Sequence, residues 1–194
     1  MPRRLVVALT GASGVVYGVR LVQELLKMGL EVHLIISDPA QIVIKQELKW
    51  DFTDSVEETF RKHLPGDNLF LYQNSDIAAP IASGSFLIEG MVVIPCTMST
   101  VSNIAHGTSK NLLERAADVI IKERRQLILA PRETPLSSIH LRNMLTLSDL
   151  GVHIVPAMPA FYNHPRDIND MVNFVVGKVL DALRIEHSLY ERYQ

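Results

Sequence analysis

Cysteine and tryptophan are scarce in this sequence, with one residue of each among 194. The single cysteine, Cys96, excludes an internal disulfide and is typical of a reducing compartment, so we expect a cytoplasmic protein. No apolar run reaches the roughly 18 residues that a membrane-spanning helix requires, so we expect no membrane span. The basic and apolar N-terminal stretch is too short for a secretion signal and runs directly into a glycine loop.

An excess of charge of either sign is also missing, since 19 Lys and Arg residues oppose 21 Asp and Glu residues for a net charge of −2. Nucleic acid requires a basic face, so we expect no nucleic-acid partner. None of the seven histidines lies at metal-ligand spacing from another His or Cys, so no metal site is predicted. The hydrophobic share of 47% excludes intrinsic disorder, and the length favours a single domain, 1–194.

Strand-like and helix-like segments alternate along the chain. Six short apolar segments are predicted strands: Arg4–Leu9, Glu31–Ile36, Asn68–Gln73, Gly90–Ile94, Gln126–Ala130 and Val152–Val155. Helical patterns separate most of them, and a long C-terminal helix is predicted at about 167–187. Apolar strands alternating with helices indicate an α/β fold. We predict a doubly wound, mostly parallel sheet sandwiched by helices, either Rossmann-like or flavodoxin-like.

Two loops that follow predicted strands are candidates for ligand binding, because ligands in such folds bind beyond the carboxyl ends of the strands. Gly11–Gly14 opens a helix, where backbone N–H groups and the helix dipole favour an anion. A glycine turn for close helix packing explains this loop equally well. Thr97–Thr100 supplies three hydroxyls before a helix, whereas ordinary helix capping needs only one.

Basic residues supply the remaining candidates. Arg132 directly follows a predicted buried strand, either as a solvated loop end or as a rigid fork for a phosphate or a flavin carbonyl. Glu133 beside it could orient the guanidinium or handle protons. Arg115 and Lys122 share one helix face. These two cations are equally consistent with an ordinary solvated helix face. The helix dipole favours positive charge near the C-terminus, and Asp118 can pair with Lys122 at i,i+4.

Several longer segments resemble one known family in order and spacing. They are TGASG, SGSF, VIPCTMST, ERAADVIIKERR, LAPRETPLSSIHLRNML and PAMPAFYNHP. The chain from about Leu5 to Leu183 closely resembles the UbiX-type flavin prenyltransferases. Members join the dimethylallyl group of dimethylallyl monophosphate to N5 and C6 of reduced FMN. The product, prenylated FMN, serves a UbiD-type partner decarboxylase. The resemblance implies a metal-independent transferase that forms a homododecamer with sites at subunit junctions.

The resemblance also implies a set of site residues. The implied FMN contacts are Gly11, Ala12, Ser13, Ser37, Thr97, Met98, Ser99, Thr100 and Arg132. The implied dimethylallyl phosphate contacts are Arg115, Lys122, Tyr162 and Lys178, and the implied catalytic residues are Ser13, Glu47, Glu133 and Tyr162. The flavin phosphate is then expected at the Gly11–Gly14 helix terminus, with Glu47 as an acid near the flavin. Tyr193 is matched to a C-terminal aromatic that covers the site in some members.

Two other classes of function share features with this sequence. An FMN-dependent cysteine decarboxylase would share the fold and the flavin site, but it would use a catalytic His and an Asn–Met–Trp substrate segment. The corresponding segment here reads PAMPAFYNHP, and the loop at Asp76–Ser85 carries no His. A flavodoxin-like electron carrier would have an acidic surface, which the near-neutral charge does not favour.

Overall fold

The computed structural model describes residues 3–192. Its six strands are β1 (Arg4–Leu9), β2 (Glu31–Ile36), β3 (Leu69–Gln73), β4 (Gly90–Cys96), β5 (Gln126–Pro131) and β6 (His153–Ile154). They form one sheet in the order β3-β2-β1-β4-β5-β6, and every neighbouring pair is parallel. The predicted doubly wound α/β fold is confirmed.

Seven helices connect and follow these strands. They are α1 (Val15–Lys27), α2 (Asp38–Leu48), α3 (Val56–His63), α4 (Met98–Ala105), α5 (Leu112–Lys122), α6 (Ser138–Asp149) and α7 (Ile168–Ala182). Six of them begin at a side chain that accepts a hydrogen bond from the first turn, namely Ser37, Ser55, Thr97, Asn111, Ser137 and Asp167. The exception is α1, which begins at Gly14 without a capping side chain of its own.

Successive residues of each strand pack into two separate cores on opposite faces of the sheet. In β1, Leu5, Val7 and Leu9 join the core covered by α1, α2, α3 and α7. Val6 and Ala8 join the core covered by α4, α5 and α6. Because both faces of the central strands are covered, β1, β4 and β5 are apolar along nearly their whole length, as the sequence predicted.

The last helix differs from its prediction. It ends at Ala182 rather than near 187, because Arg184 adopts a left-handed conformation with φ of 57°. The Arg184 and Ile185 N–H groups donate to the carbonyls of Asp181 and Leu180, both at 2.9 Å, which closes the helix end. No glycine marks this stop, so the helical pattern of the sequence runs past it.

Candidate functional site

The sheet reverses its direction of growth between β1 and β4, and this is where ligands bind in folds of this type. We use the term carboxyl rim for the residues that follow the strands there: Gly11–Gly14, Ser37, Thr97–Thr100, Arg132 and Glu133. The rim contains every predicted flavin contact. The predicted phosphate contacts Arg115, Lys122, Tyr162 and Lys178 lie outside this set.

Thr10 ties together the loops that follow β1 and β4. Its hydroxyl donates to the Pro95 carbonyl oxygen at 2.7 Å and accepts from the Thr97 N–H at 2.9 Å. The residue is only 3% exposed, so both bonds are shielded from water. Sequence reasoning missed Thr10, although a hydroxyl directly after an apolar strand was an available signal.

The N-terminus of α1 already holds a carboxylate. Gly14 starts the helix with φ of 97°, a left-handed conformation that glycine tolerates. The carboxylate of Glu47, from α2, accepts from the Gly14 N–H at 3.0 Å and the Val15 N–H at 3.2 Å. Glu47 therefore caps α1, and a flavin phosphate bound at this terminus would compete with it for the same N–H groups.

Glu47 also influences the neighbouring aromatic ring. Tyr17 is half-buried in the first turn of α1. Burial, reinforced by the negative charge of Glu47, raises the pKa of the Tyr17 hydroxyl above its usual value. Tyr17 therefore stays protonated beside the carboxylate and can act there only as a neutral hydroxyl.

A cavity of about 670 Å³ adjoins the rim at Ser37, beyond the ends of β2 and β3. Its lining includes Ser37, Gln41, Tyr72, Asn74, Lys110 and Asn111. This volume lies within the range of small-molecule sites. Of the predicted flavin contacts, only Ser37 reaches it, and that side chain also caps α2 by accepting from the Ala40 N–H at 3.3 Å. The cavity is thus an extension of the rim rather than its centre.

Glu114 lies behind the turn that lines this cavity, and sequence reasoning missed it as well. It is buried in α5 and accepts from the Asn103 side-chain amide at 2.7 Å and the Lys110 N–H at 2.9 Å. These bonds fix the turn that brings Lys110 and Asn111 to the cavity. Its role is structural, because its carboxylate is already occupied by donors of the chain.

The Thr97–Thr100 loop contributes fewer free groups than its sequence suggested. Thr97 caps α4 by accepting from the Thr100 N–H at 3.2 Å, and the two threonine hydroxyls lie 2.9 Å apart. Met98 is packed in the core at 7% exposure, so only its backbone is left for the predicted flavin contact. Ser99 is exposed and Thr100 is half-buried, so the hydroxyls of these two residues are the ones in this loop that a ligand can contact.

Arg132 stands at the rim without a carboxylate partner. Its N–H donates to the Cys96 carbonyl at 3.2 Å, which sets it beside the end of β4. Its guanidinium is exposed and makes no hydrogen bond or ion pair with any side chain among residues 3–192, so it is available to a ligand. Glu133 does not orient it, because the Glu133 carboxylate accepts instead from the Thr134 N–H at 3.0 Å.

The two predicted cations of α5 lie at different heights. Arg115 is in the first half of the helix and Lys122 is its last residue, about 10 Å further along the axis. Lys122 forms its ion pair with Glu123 and not with Asp118. Because α5 runs from the carboxyl rim towards the start of β5, Lys122 lies near the amino ends of the strands, at the opposite end of the sheet from Arg132.

Lys178 also lies towards the amino ends of the strands. It is on α7, whose last carbonyl, at Ala182, accepts from the side chain of Gln126 at the start of β5. Strand β5 then spans about 17 Å before Arg132 follows its far end. One chain therefore does not bring Lys122 and Lys178 to the carboxyl rim.

Tyr162 comes from the long loop after β6. Its ring is 59% exposed and packs edge-on against Phe174 of α7, with ring centroids 5.8 Å apart. The neighbouring Phe161 and Met158 are exposed to a similar degree. The loop thus presents an apolar and aromatic surface to its surroundings.

Other candidates are explained by packing. Cys96 is fully buried, and burial raises the pKa of its thiol, so it is not a nucleophile. Trp50 is 8% exposed and stacks on His63 at 4.0 Å, which makes it part of the α3 packing rather than a lid. Tyr193 lies outside the described residues. Within residues 3–192, no three His, Cys, Asp or Glu side chains cluster as metal ligands, and no helix has the length and apolarity to cross a membrane.

Comparison with known proteins gives a consistent result over nearly the whole chain. Residues 1–180 match the model of the flavoprotein family. A flavin prenyltransferase UbiX from Alkalihalophilus pseudofirmus is 53% identical over 192 residues, which cover 97% of this chain and 95% of that protein.

Two solved structures share the fold closely. AnUbiX (PadA1), crystallised with FMN and dimethylallyl pyrophosphate, is 41% identical with a TM-score of 0.90, covering 100% of this chain and 98% of that one. A dodecameric FMN-dependent UbiX-like decarboxylase from Escherichia coli is 46% identical with a TM-score of 0.88, covering 98% and 99%.

Proposed function

Since the chain belongs to the flavoprotein family and, within it, to the flavin prenyltransferases, we propose that it joins the dimethylallyl group of dimethylallyl monophosphate to N5 and C6 of reduced FMN. The observation that carries this proposal is the 53% identity to a flavin prenyltransferase along almost the entire chain. Two bonds form, at N5 and C6, while the allylic C–O bond breaks. The protons that leave N5 and C6 are balanced by one taken up at the alkene and one carried off with the phosphate.

The carboxyl rim fits a flavin. Arg132 offers an exposed guanidinium with no carboxylate partner among the described residues, and Ser13, Ser99 and Thr100 offer hydroxyls around the loops that Thr10 holds together. A guanidinium binds phosphate or carbonyl oxygens with a fixed fork geometry. The isoalloxazine would lie over these loops, which hold it in place for the approach of the allylic carbon.

The allyl phosphate needs cations that a single chain keeps at the other edge of the sheet. We therefore assign Lys122 and Lys178 to phosphate sites that neighbouring subunits complete. Arg115, which is on α5 with Lys122, is assigned to the same phosphate site. The similar protein from Escherichia coli is dodecameric, which supports a homododecamer here. Exposed apolar side chains on α6, among them Ile139 and Leu145, supply surface for such association.

Four side chains are assigned to proton handling and substrate orientation. Glu47 lies at the α1 terminus, where its carboxylate accepts from the Gly14 N–H. Glu133 and Tyr162 are exposed at the rim and in the loop after β6, where they can meet the departing phosphate. Ser13 is exposed directly before Gly14, whose N–H donates to Glu47, and its hydroxyl can donate to the flavin. The product would pass to a UbiD-type decarboxylase in the cytoplasm, and the proposed reaction uses no metal.

Mass spectrometry of the flavin tests the reaction. The protein is mixed anaerobically with reduced FMN and dimethylallyl monophosphate, and the flavin is extracted after acid quench. We expect a mass gain of one dimethylallyl group less one hydrogen. Recovery of FMN at unchanged mass with both the mono- and the diphosphate donor would refute the proposal. A peptide ending in cysteine, offered with oxidised FMN, should not be decarboxylated.

A mixing experiment tests the shared site. Subunits carrying Arg132→Ala and subunits carrying Lys178→Ala are each expected to be inactive, and dissociation followed by reassembly of the mixture should restore part of the activity. Lys62→Ala is the matched control, because Lys62 is also an exposed lysine paired with a carboxylate, that of Asp54. Mixtures that stay inactive while remaining assembled would place the whole site in one chain.

A further inference from the structure

The chain after α7 folds back across that helix. We call residues 186–192 the C-terminal strap. The left-handed Arg184 reverses the chain, and Ile185 is buried at the turn. Leu189 then packs against the same core as α1 and α7. The strap is thus attached to α7 at both its start and its middle.

Asp181 anchors the strap. Its carboxylate accepts from the Tyr190 hydroxyl, from the Arg192 guanidinium at 2.7 Å and from His187 Nε2 at 3.2 Å. The Leu189 N–H donates to His187 Nδ1 at 3.1 Å, so the ring proton must sit on Nε2, where it points at Asp181. Three residues of the strap therefore converge on one carboxylate of α7.

The strap lies directly on the backbone of α7 at Gly177. A Cβ at this position would come within 2.5 Å of the Tyr190 ring and 2.8 Å of the His187 ring. The missing side chain is what lets both rings reach the helix. The next residue along the helix is Lys178, so the seat of the strap is adjacent to a proposed phosphate contact.

Lys178 shares the same anchor. Its ammonium lies 3.6 Å from Asp181 Oδ2, the longest of the four contacts that this carboxylate makes. The Lys178 ammonium can therefore move to bind a phosphate while the other three donors stay hydrogen-bonded to Asp181. Tyr162 borders the strap from its other side, through Phe174, whose ring centroid lies 5.1 Å from that of Tyr190.

We infer that Asp181, together with the strap it anchors, is a positioning residue that holds Lys178 ready for the phosphate of the allyl substrate. This inference rests on the phosphate-binding role proposed for Lys178. A free lysine loses rotamer entropy when its side chain is fixed. An ammonium already restricted by Asp181 has less of this entropy to lose on binding.

Steady-state kinetics test this role in the assembled enzyme at saturating reduced FMN. Asp181→Asn should raise KM for dimethylallyl monophosphate about fivefold, with kcat and FMN affinity within about twofold of the wild type. Glu191→Gln is the matched control, because it removes an exposed strap carboxylate that has no hydrogen-bond or ion-pair partner within residues 3–192. Tyr190→Phe keeps the ring on Gly177 and removes only the hydroxyl, so it should fold and raise KM about threefold.

Lys178→Gln separates this inference from the proposed function. If Lys178→Gln leaves KM unchanged, the pocket assignment and the positioning role both fail. If it raises KM while Asp181→Asn and Tyr190→Phe do not, the function stands and the positioning role is refuted. In the Lys178→Gln background, Asp181→Asn should change KM less than about twofold. A full additive effect there, or a KM that falls in Asp181→Asn alone, would overturn the inference.

Discussion

Replacing Thr10 by valine tests whether one buried hydroxyl holds the two central rim loops together. Valine preserves the branched shape but removes the donor to Pro95 and the acceptor for Thr97. Each buried group left unpaired costs about 1–3 kcal/mol, and the added methyl returns part of this, so we expect a loss of about 2–4 kcal/mol. For a chain of this size, that loss corresponds to a fall in Tm of about 5–15 °C.

The assay is thermal unfolding at a fixed protomer concentration, because association makes Tm depend on concentration. A parallel titration should show weaker FMN binding, since the Thr97 loop loses its tie to β1. Thr10→Ser is the control, because it keeps both hydrogen bonds and loses one buried methyl, at about 1 kcal/mol. A Thr10→Val protein within about 2 °C of the wild type, or one more stable than Thr10→Ser, would refute the reasoning.

Three further predictions follow from close contacts and charges. Gly18→Ala should fail to fold or lose most of its stability by circular dichroism, because its Cβ would lie 2.3 Å from the Ile94 carbonyl oxygen. Burial and the hydrogen bond to Asp181 raise the pKa of Tyr190 to about 12. The free energy of unfolding that the Tyr190–Asp181 hydrogen bond contributes should be fully present below pH 10.0, the ordinary pKa of tyrosine, and be lost as the pH rises through 12. The ultraviolet titration of Tyr190→Phe should lack the corresponding ionisation step. Glu47→Gln should lower the free energy of unfolding by about 0.3–1 kcal/mol in denaturant titrations, because α1 loses a charge at its N-terminus. An unchanged rate of flavin turnover in that variant would exclude a proton-handling role for Glu47.

The fold was predictable because its central strands are apolar on both faces. All six predicted strands begin within one residue of the observed ones, and β1 and β2 agree at both ends. What the sequence could not define was the stretch 51–89, where α3 begins at a Ser55–Glu58 capping box but contributes only one turn of buried residues. The end of α7 was overestimated because a non-glycine residue, Arg184, takes the left-handed conformation.

The candidate site was only partly predictable. The rim residues could be named because they directly follow strands, whose carboxyl ends must meet. The contact of Glu47 with Gly14 could not, because it joins residues far apart in sequence and depends on how α2 packs beside α1. The separation of Arg115 from Lys122 was available in principle, since a helix that returns from the carboxyl rim carries its last residue to the opposite edge.

The two lysines among the proposed phosphate contacts lie at the end of the sheet opposite the carboxyl rim, and within one chain each of them is paired with a carboxylate. Lys122 pairs with Glu123 and Lys178 with Asp181, and both ammonium groups remain about half-exposed. Exposed ion pairs contribute only about 0–1 kcal/mol, so a doubly charged phosphate displaces them at little cost. A lone subunit therefore keeps its cations locally neutralised and remote from the flavin rim. Under the proposed assignment, one subunit's lysines face another subunit's rim to supply both halves of the reaction, so the proposal makes assembly a condition of catalysis.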